Sequence, residues 1–485
     1  MNYRLIARYL RFVLQLQAVF LLPMLAYSVT QGEHGAGKGF LITLVIVVIL
    51  SLLLRLVKFD PEKTMYIKDG FVMVAICWIA VSVMGAFPYW ISGDIPFFLD
   101  ALFESVSGFT TTGATILTNV EGLSSGLLLW RGFSHWIGGM GVLVFLLALV
   151  PALSGGERSF NVMKAESTGP APGKLVPKLR QSAKLLYIIY LVLTLILVLF
   201  LLAGGMPLLD SVVNAMSTAG TGGFSARNIS IEAYNSAYLE MVIAVFLIIF
   251  GISFNMYYFL VARNFSAVYK NEELRVYLGI ILVSTILVAV NLLGSVCDNV
   301  ADALRYAFFQ VSSTITTTCL SSTNYDLWPT FSRFALITLT FIGASAGSTG
   351  GGIKVSRIII LFKESRRILF RMVHPRSVET VKMDGKTLDK TVVHSVSAYL
   401  ALLMMILVVS TFVVAWDGYD LESTFTAVSS CLNNNGPGLG LAGPAGNFSS
   451  FSPLSKVVLS LNMLIGRLEI YPVLLMFSPR TWKRI

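Results

Sequence analysis

Ser107-Gly108-Phe109-Thr110-Thr111-Thr112-Gly113-Ala114-Thr115 is a short polar interruption in an otherwise apolar chain. It closes a segment that begins at Asp100, and hydrophobic runs too long for ordinary core helices flank it. The arrangement recurs. Asp210 leads to Ser217-Thr218-Ala219-Gly220-Thr221-Gly222-Gly223-Phe224, and Asp302 leads to Ser313-Thr314-Ile315-Thr316-Thr317-Thr318-Cys319-Leu320. A last copy runs from Glu422 to Ser430-Cys431-Leu432-Asn433-Asn434-Asn435-Gly436-Pro437. Internal repetition on this scale outranks any single motif as evidence of architecture. Apolar span, short amphipathic helix, hydroxyl- or amide-rich loop and second apolar span together describe a pore built from re-entrant loops.

With 485 residues, 55% hydrophobic and only 13% charged, and a mean hydropathy of +0.75, the chain has too little polar surface to wrap a soluble globule. It belongs in a bilayer, with lipid as its surroundings. The net charge of +10 does not point to nucleic acid, because the cations are divided among loops instead of gathered on one face. Cys77, Cys297, Cys319 and Cys431 are scattered, without CxxC or metal-ligand spacing, so no disulfide framework is implied. Arg4, Arg8 and Arg11 precede an apolar run that superficially resembles a signal peptide, but no small-residue cleavage site follows.

Stretches of about 20 mostly apolar residues occur at 5–27, 40–57, 70–90, 130–153, 185–205, 239–262, 276–296, 331–370, 393–416 and 454–476. Lys and Arg crowd 158–184, 263–275, 363–390 and the tail, whereas 91–129 and 417–455 contain none. Cytoplasmic loops carry the excess of positive charge. The pattern therefore predicts that both termini are cytoplasmic and that each polar loop enters from outside and returns. The expected order is an N-terminal transmembrane hairpin (1–69), pore repeat 1 (70–157), a cytoplasmic linker (158–183), pore repeat 2 (184–263), pore repeat 3 with a broken second helix (264–372), a second linker (373–392) and pore repeat 4 (393–485). The fold class is an all-α polytopic membrane protein with four tandem repeats in pseudo-fourfold arrangement about one pore.

A cation stripped of water needs replacement oxygens, and rings of backbone carbonyls supply them where the chain is neither helix nor strand. Irregular backbone at membrane depth is tolerated only where it lines such a cavity. Thr111-Thr112-Gly113, Thr221-Gly222-Gly223, Thr317-Thr318-Cys319 and Asn434-Asn435-Gly436 have the composition for it: Gly admits left-handed dihedrals, and the hydroxyls and amides are expected to satisfy freed N–H groups from behind. Asp100, Asp210, Asp302 and Glu422 are read as N-caps or first-turn acids. Four short helices aiming their C-termini inward would favour a cation between them.

The span–loop–span units, the broken stretch Gly347-Ser348-Thr349-Gly350-Gly351-Gly352-Ile353-Lys354 and the closing Gly466-Arg467-Leu468-Glu469-Ile470-Tyr471-Pro472 resemble the Trk/Ktr/HKT potassium transporter superfamily. The extra N-terminal hairpin is most similar to its bacterial TrkH branch, and the resemblance covers essentially the whole chain. It implies potassium uptake in the bacterial inner membrane, a homodimer, and a cytosolic nucleotide-binding subunit of the TrkA type. No cofactor is expected in this chain, the nucleotide residing on that partner. The family's filter glycines fall on Gly113, Gly223 and Gly436, while the third position is Cys319, a departure that bears on discrimination between potassium and sodium. Potassium sites are implied at Thr112, Gly113, Thr221, Gly222, Thr317, Thr318, Asn435 and Gly436.

The stretch 343–352 fails as a nucleotide loop, since no Gly-Lys-Ser/Thr ends it and no strand precedes it. A helix kink is one reading. The resemblance implies a gate across the pore, formed by Gly343, Ser345, Gly347, Ser348, Thr349, Gly350, Gly351 and Gly352 with Lys354 and Arg467. Arg467 lies mid-span, where a charge faces a partner or a cavity; pairing with Glu469 and projection into the pore are both open. A carrier coupled to protons or sodium is disfavoured because such carriers show inverted repeats. A membrane-embedded enzyme is disfavoured because the spans offer almost no titratable groups besides Arg467 and Glu469. His135 reads as a packed histidine.

Overall fold

The computed structural model describes residues 3–57, 67–141 and 179–482. The first linker, up to residue 178, and the end of the span expected at 130–153 lie outside the described residues. An N-terminal pair, Tyr3–Thr30 and His34–Arg55, packs against the first repeat. Each repeat then supplies a long first helix, a short pore helix and a second helix. The first helices are Ile67–Ser92, Leu179–Ala203, Glu272–Leu292 and Lys390–Val414. Their exposed faces are apolar, as at Leu195, Leu199, Leu282, Val290, Val408 and Phe412. Such surface is stable only against lipid.

The pore helices are Phe98–Phe109, Leu208–Gly220, Val300–Ile315 and Leu421–Asn433. The longest has 16 residues, or about 24 Å at 1.5 Å per residue, which is short of the bilayer core. Each carries its acid, Asp100, Asp210, Asp302 or Glu422, in the first turn. The capping positions are taken by their neighbours: Asn299 accepts from the Ala301 amide and Asp420 from that of Ser423. The second helix of every repeat packs on the pore helix of the next, and that of the fourth returns to the first. This head-to-tail packing closes the pseudo-fourfold ring, so the chain is an all-α polytopic membrane protein with a shared axis.

The second helices depart from the sequence expectation, which placed a break in repeat 3 alone. Six of the described helices are long and apolar enough to cross a membrane unbroken, and none of them is a second helix. In repeat 1 the helix Ser125–Met140 ends at Gly141, whose φ is 86°. In repeat 2, Ala237–Gly251 and Phe254–Val261 meet at 89°. In repeat 3, Thr330–Ile342 and Val355–Val373 are separated by residues 343–354. In repeat 4, Pro453–Arg467 gives way to Tyr471–Phe477 through Glu469 and Ile470, with φ of 59° and 68°. Breaks of so few residues, made partly of Ile and Leu, leave the hydropathy continuous and so escape a composition window. The second linker also holds more order than its polarity suggests. Lys382–Met383 and Lys386–Thr387 pair as a two-residue hairpin, its turn formed by Asp384 and Gly385, both at positive φ, as this turn type requires.

Candidate functional site

Each pore helix ends the same way. The amides of Thr112, Gly222, Thr318 and Asn435 donate to the carbonyls of Ser107, Ser217, Ser313 and Ser430, all at 2.9 Å. Those of Thr111, Thr221, Thr317 and Asn434 donate to Gly108, Thr218, Thr314 and Cys431. This bond pair defines the Schellman termination, whose hinge residue is left-handed and usually glycine. Here the hinge is Thr111, Thr221, Thr317 or Asn434, with φ of 53°, 54°, 56° and 54°. Two residues on, Gly113, Gly223, Cys319 and Gly436 are again left-handed, at 84°, 88°, 67° and 87°. Four loops of different sequence thus repeat one unusual backbone. Cys319 adopts it despite its side chain.

The loops meet at this second position. A Cβ built on Gly113 would strike the Gly222 carbonyl, one on Gly223 the Thr318 carbonyl, and one on Gly436 the Thr112 carbonyl. All twelve loop residues singled out by sequence therefore lie in one cluster. Some hydroxyls act as expected, Thr115 accepting from the Leu117 amide; others do not. They join one another, Thr110 to Thr112 at 2.7 Å and Thr316 to Thr318 at 2.8 Å, or donate to carbonyls, as Ser313 to Leu320 and Ser430 to Gly436. The N–H groups at the first two positions of each loop are satisfied by the helix ends instead.

Behind the loops lie braces that the sequence did not expose. Glu104 and Arg131 form a buried ion pair at 2.8 Å. Glu104 also accepts from the Ile116 amide, and Arg131 donates to the Ser225 carbonyl while covering the Phe224 ring. Loops 1 and 2 are thereby tied together. His135 is fully buried, 3.1 Å from the Ser217 hydroxyl and stacked on Phe224, so it is a packing residue. Asn434 donates to the Thr112 hydroxyl and the Met463 carbonyl, joining loop 4 to loop 1 and to its own second helix.

Residues 343–354 lie against the inner ends of the pore helices. The Gly351 amide donates to the Thr317 hydroxyl at 2.6 Å and the Gly352 amide to the Asn433 carbonyl at 3.0 Å. Toward repeat 2, Ser345 donates to Gly251 and Phe254 to Gly347, while the Thr349 hydroxyl reaches Phe250. Ser348 closes a turn on Ser345, and Lys354 folds back onto the Gly350 carbonyl. Arg467 donates to Thr349 of this stretch and to Gly138 and Gly139 of repeat 1. Glu469 pairs with Arg357. Two further residues went unread in the sequence: Arg357 itself, and Glu273, whose carboxylate accepts from the amides of Ala346 and Ser356 at opposite ends of the stretch. Arg357, inside the stretch expected at 331–370, is thus one of the few titratable groups that the spans hold besides Arg467 and Glu469. For Arg357 the available signal was a charge within an apolar run, which by default has a partner; Glu273, beside Glu272 and Arg275 at the end of such a run, gave none.

Among the described residues no cluster of three or more His, Cys, Asp or Glu is placed to hold a metal ion. What the ring offers is backbone oxygen, the donor type suited to a bare monovalent cation. The profile of the TrkH family, described as a cation transport protein, matches residues 36–484. The Trk system potassium uptake protein TrkH of Salmonella typhimurium is 33% identical over the full length of both chains. TrkG of Escherichia coli, also named as a Trk system potassium uptake protein, is 34% identical over 86% of each. The crystal structure of the potassium transporter TrkH from Vibrio parahaemolyticus superposes with a TM-score of 0.87 over all of both chains at 32% identity. A closed ring of four pore repeats with this likeness end to end has one placing: the chain belongs to the TrkH family of cation transport proteins.

Proposed function

We propose that the protein takes up potassium across the bacterial inner membrane through a selective pore along the shared axis, with both termini in the cytoplasm. The observation that carries this reading is the fourfold repeat of one left-handed loop backbone, converging at Gly113, Gly223, Cys319 and Gly436. Residues 111–113, 221–223, 317–319 and 434–436 form the filter, and the potassium-bearing oxygens belong to Thr112, Gly113, Thr221, Gly222, Thr317, Thr318, Asn435 and Gly436. Residues 343–354 with Arg467 form the gate beneath it. A barrier there is supported by a backbone that reaches toward repeat 2, loop 3 and loop 4 and is held by a guanidinium bonded to repeat 1. The cationic head also opposes a cation electrostatically at low dielectric. The naming of relatives as members of a Trk system supports a multi-component assembly, in which a homodimer of this chain is opened by a cytosolic nucleotide-binding subunit.

Purified protein in liposomes tests the reading. Rubidium tracer should enter potassium-loaded vesicles with no proton or sodium gradient imposed, and reversal potentials in mixed salts should favour potassium over sodium. Uptake that appears only with a sodium or proton gradient would replace the pore with a coupled carrier.

A further inference from the structure

The third loop carries a thiol where the other three carry glycine. Loop 1 meets loop 2 at Gly113, loop 2 meets loop 3 at Gly223, and loop 4 meets loop 1 at Gly436, so loops 1 and 3 stand opposite each other. The Cys319 thiol nevertheless donates to the Thr112 carbonyl of loop 1 at 3.2 Å. Its Cβ is 3.4 Å from a Cβ built on Gly113 and 2.5 Å from one built on Gly223, and its Sγ is 2.5 Å from one built on Gly436. A side chain that reaches all three other ring positions lies across the axis they enclose. It also lines a hollow together with Gly113, Gly223, Arg131, Ser321 and Pro437. The backbone at Cys319, with φ of 67°, is one that glycine adopts without strain and a side-chain-bearing residue does not.

We propose that Cys319 sets the affinity of the filter: its thiol is a tethered competitor that occupies the Thr112 carbonyl until an arriving cation displaces it. This rests on the pore reading above. A thiol is a weak donor, and a neutral hydrogen bond contributes modestly once exchange partners are counted. The competition is therefore worth about a fivefold increase in the half-saturating potassium concentration, small enough for the ion to win. Because the competitor is tethered, the maximal rate changes less than the half-saturation.

The test is rubidium uptake against external potassium for wild type, Cys319→Ala, Cys319→Gly and Cys319→Ser in proteoliposomes. Alanine keeps the Cβ and the backbone strain but loses the donor; glycine loses all three; serine keeps a donor. Half-saturation is expected to fall about fivefold in Ala and Gly and to stay at or above the wild-type value in Ser. Ala matching wild type, or Ser falling with Ala, overturns the proposal, and the Ser comparison still decides if Gly or Ala fails to assemble. A wild type that conducts while all variants share its half-saturation removes the competitor and leaves the pore intact. A wild type without uptake removes both.

Discussion

Replacing Glu273 with alanine should open the pore. One oxygen of this buried carboxylate accepts from the Ala346 amide at 2.7 Å and the Ser356 amide at 3.1 Å, clasping the two flanks of residues 343–354. Hydrogen bonds to a charged group contribute about 1.5–3 kcal/mol each, so losing both costs the clasped arrangement about 3 kcal/mol at the low end. If the stretch is a gate whose conducting state lacks these bonds, the closed-to-open ratio shifts about a hundredfold. Glu273→Gln keeps a neutral acceptor and should give an intermediate shift. The assay is tracer flux from liposomes without any partner subunit, with thermal unfolding of the same preparations in detergent. A lowered unfolding temperature with unchanged flux would refute the reasoning, because it would place the clasp equally in both states.

Other perturbations probe separate parts of the same design. Gly113→Ser drives a Cβ into the Gly222 carbonyl and should erode the potassium-to-sodium permeability ratio; an unchanged ratio takes Gly113 out of the filter. Arg467→Ala removes bonds to Thr349, Gly138 and Gly139 and should raise flux, whereas lost flux with a lower unfolding temperature would make the residue purely structural. Glu104→Gln leaves the buried Arg131 uncompensated, a change of about 3–5 kcal/mol in the usual case. It should lower the unfolding temperature by several degrees, and full retention of stability would show that Arg131 finds another acceptor.

Much of this could be read from residues alone because the pore loops violate the composition of everything around them. Thr, Ser, Asn and Gly at membrane depth have few uses, and four copies fix the symmetry. The broken second helices were legible only where the interruption is long. Leu468-Glu469-Ile470 turns the chain through two residues at positive φ while remaining two-thirds aliphatic, and Gly251-Ile252-Ser253 does the same work with one apolar residue between two small ones. The braces were hidden for another reason. Glu104 and Arg131 are separated by 27 positions, and Glu273 and Ala346 by 73, so their pairing depends on ring closure and not on local spacing. Arg131 and Glu273 both sit near the end of an apolar run, where a charge is ordinarily a headgroup-level anchor.

The proposed filter of four alike loops and the proposed gate under it place opposite demands on one chain. Selection by carbonyls wants equivalence, and the Schellman ends supply it, with the same 2.9 Å bond at Thr112, Gly222, Thr318 and Asn435. Closure wants a segment that belongs to one repeat and leans on all the others. The second helices of repeats 2, 3 and 4 are broken, and each helix end so made frees backbone N–H and C=O groups. In repeats 2 and 4 the break is only Ile252-Ser253 or Leu468-Glu469-Ile470, and in repeat 2 the flanking helices meet at 89°. In repeat 3 it runs from 343 to 354, enough chain to reach the inner ends of loops 3 and 4 and the second helix of repeat 2. The carbonyls of Gly138 and Gly139 accept from Arg467. On the proposed reading, the greater length of one break is what lets four loops of common backbone coexist with a gate supplied by repeat 3. The same bonds that satisfy the broken helices also hold residues 343–354 in place, so if that stretch is the gate, releasing it leaves backbone groups in several repeats to be solvated.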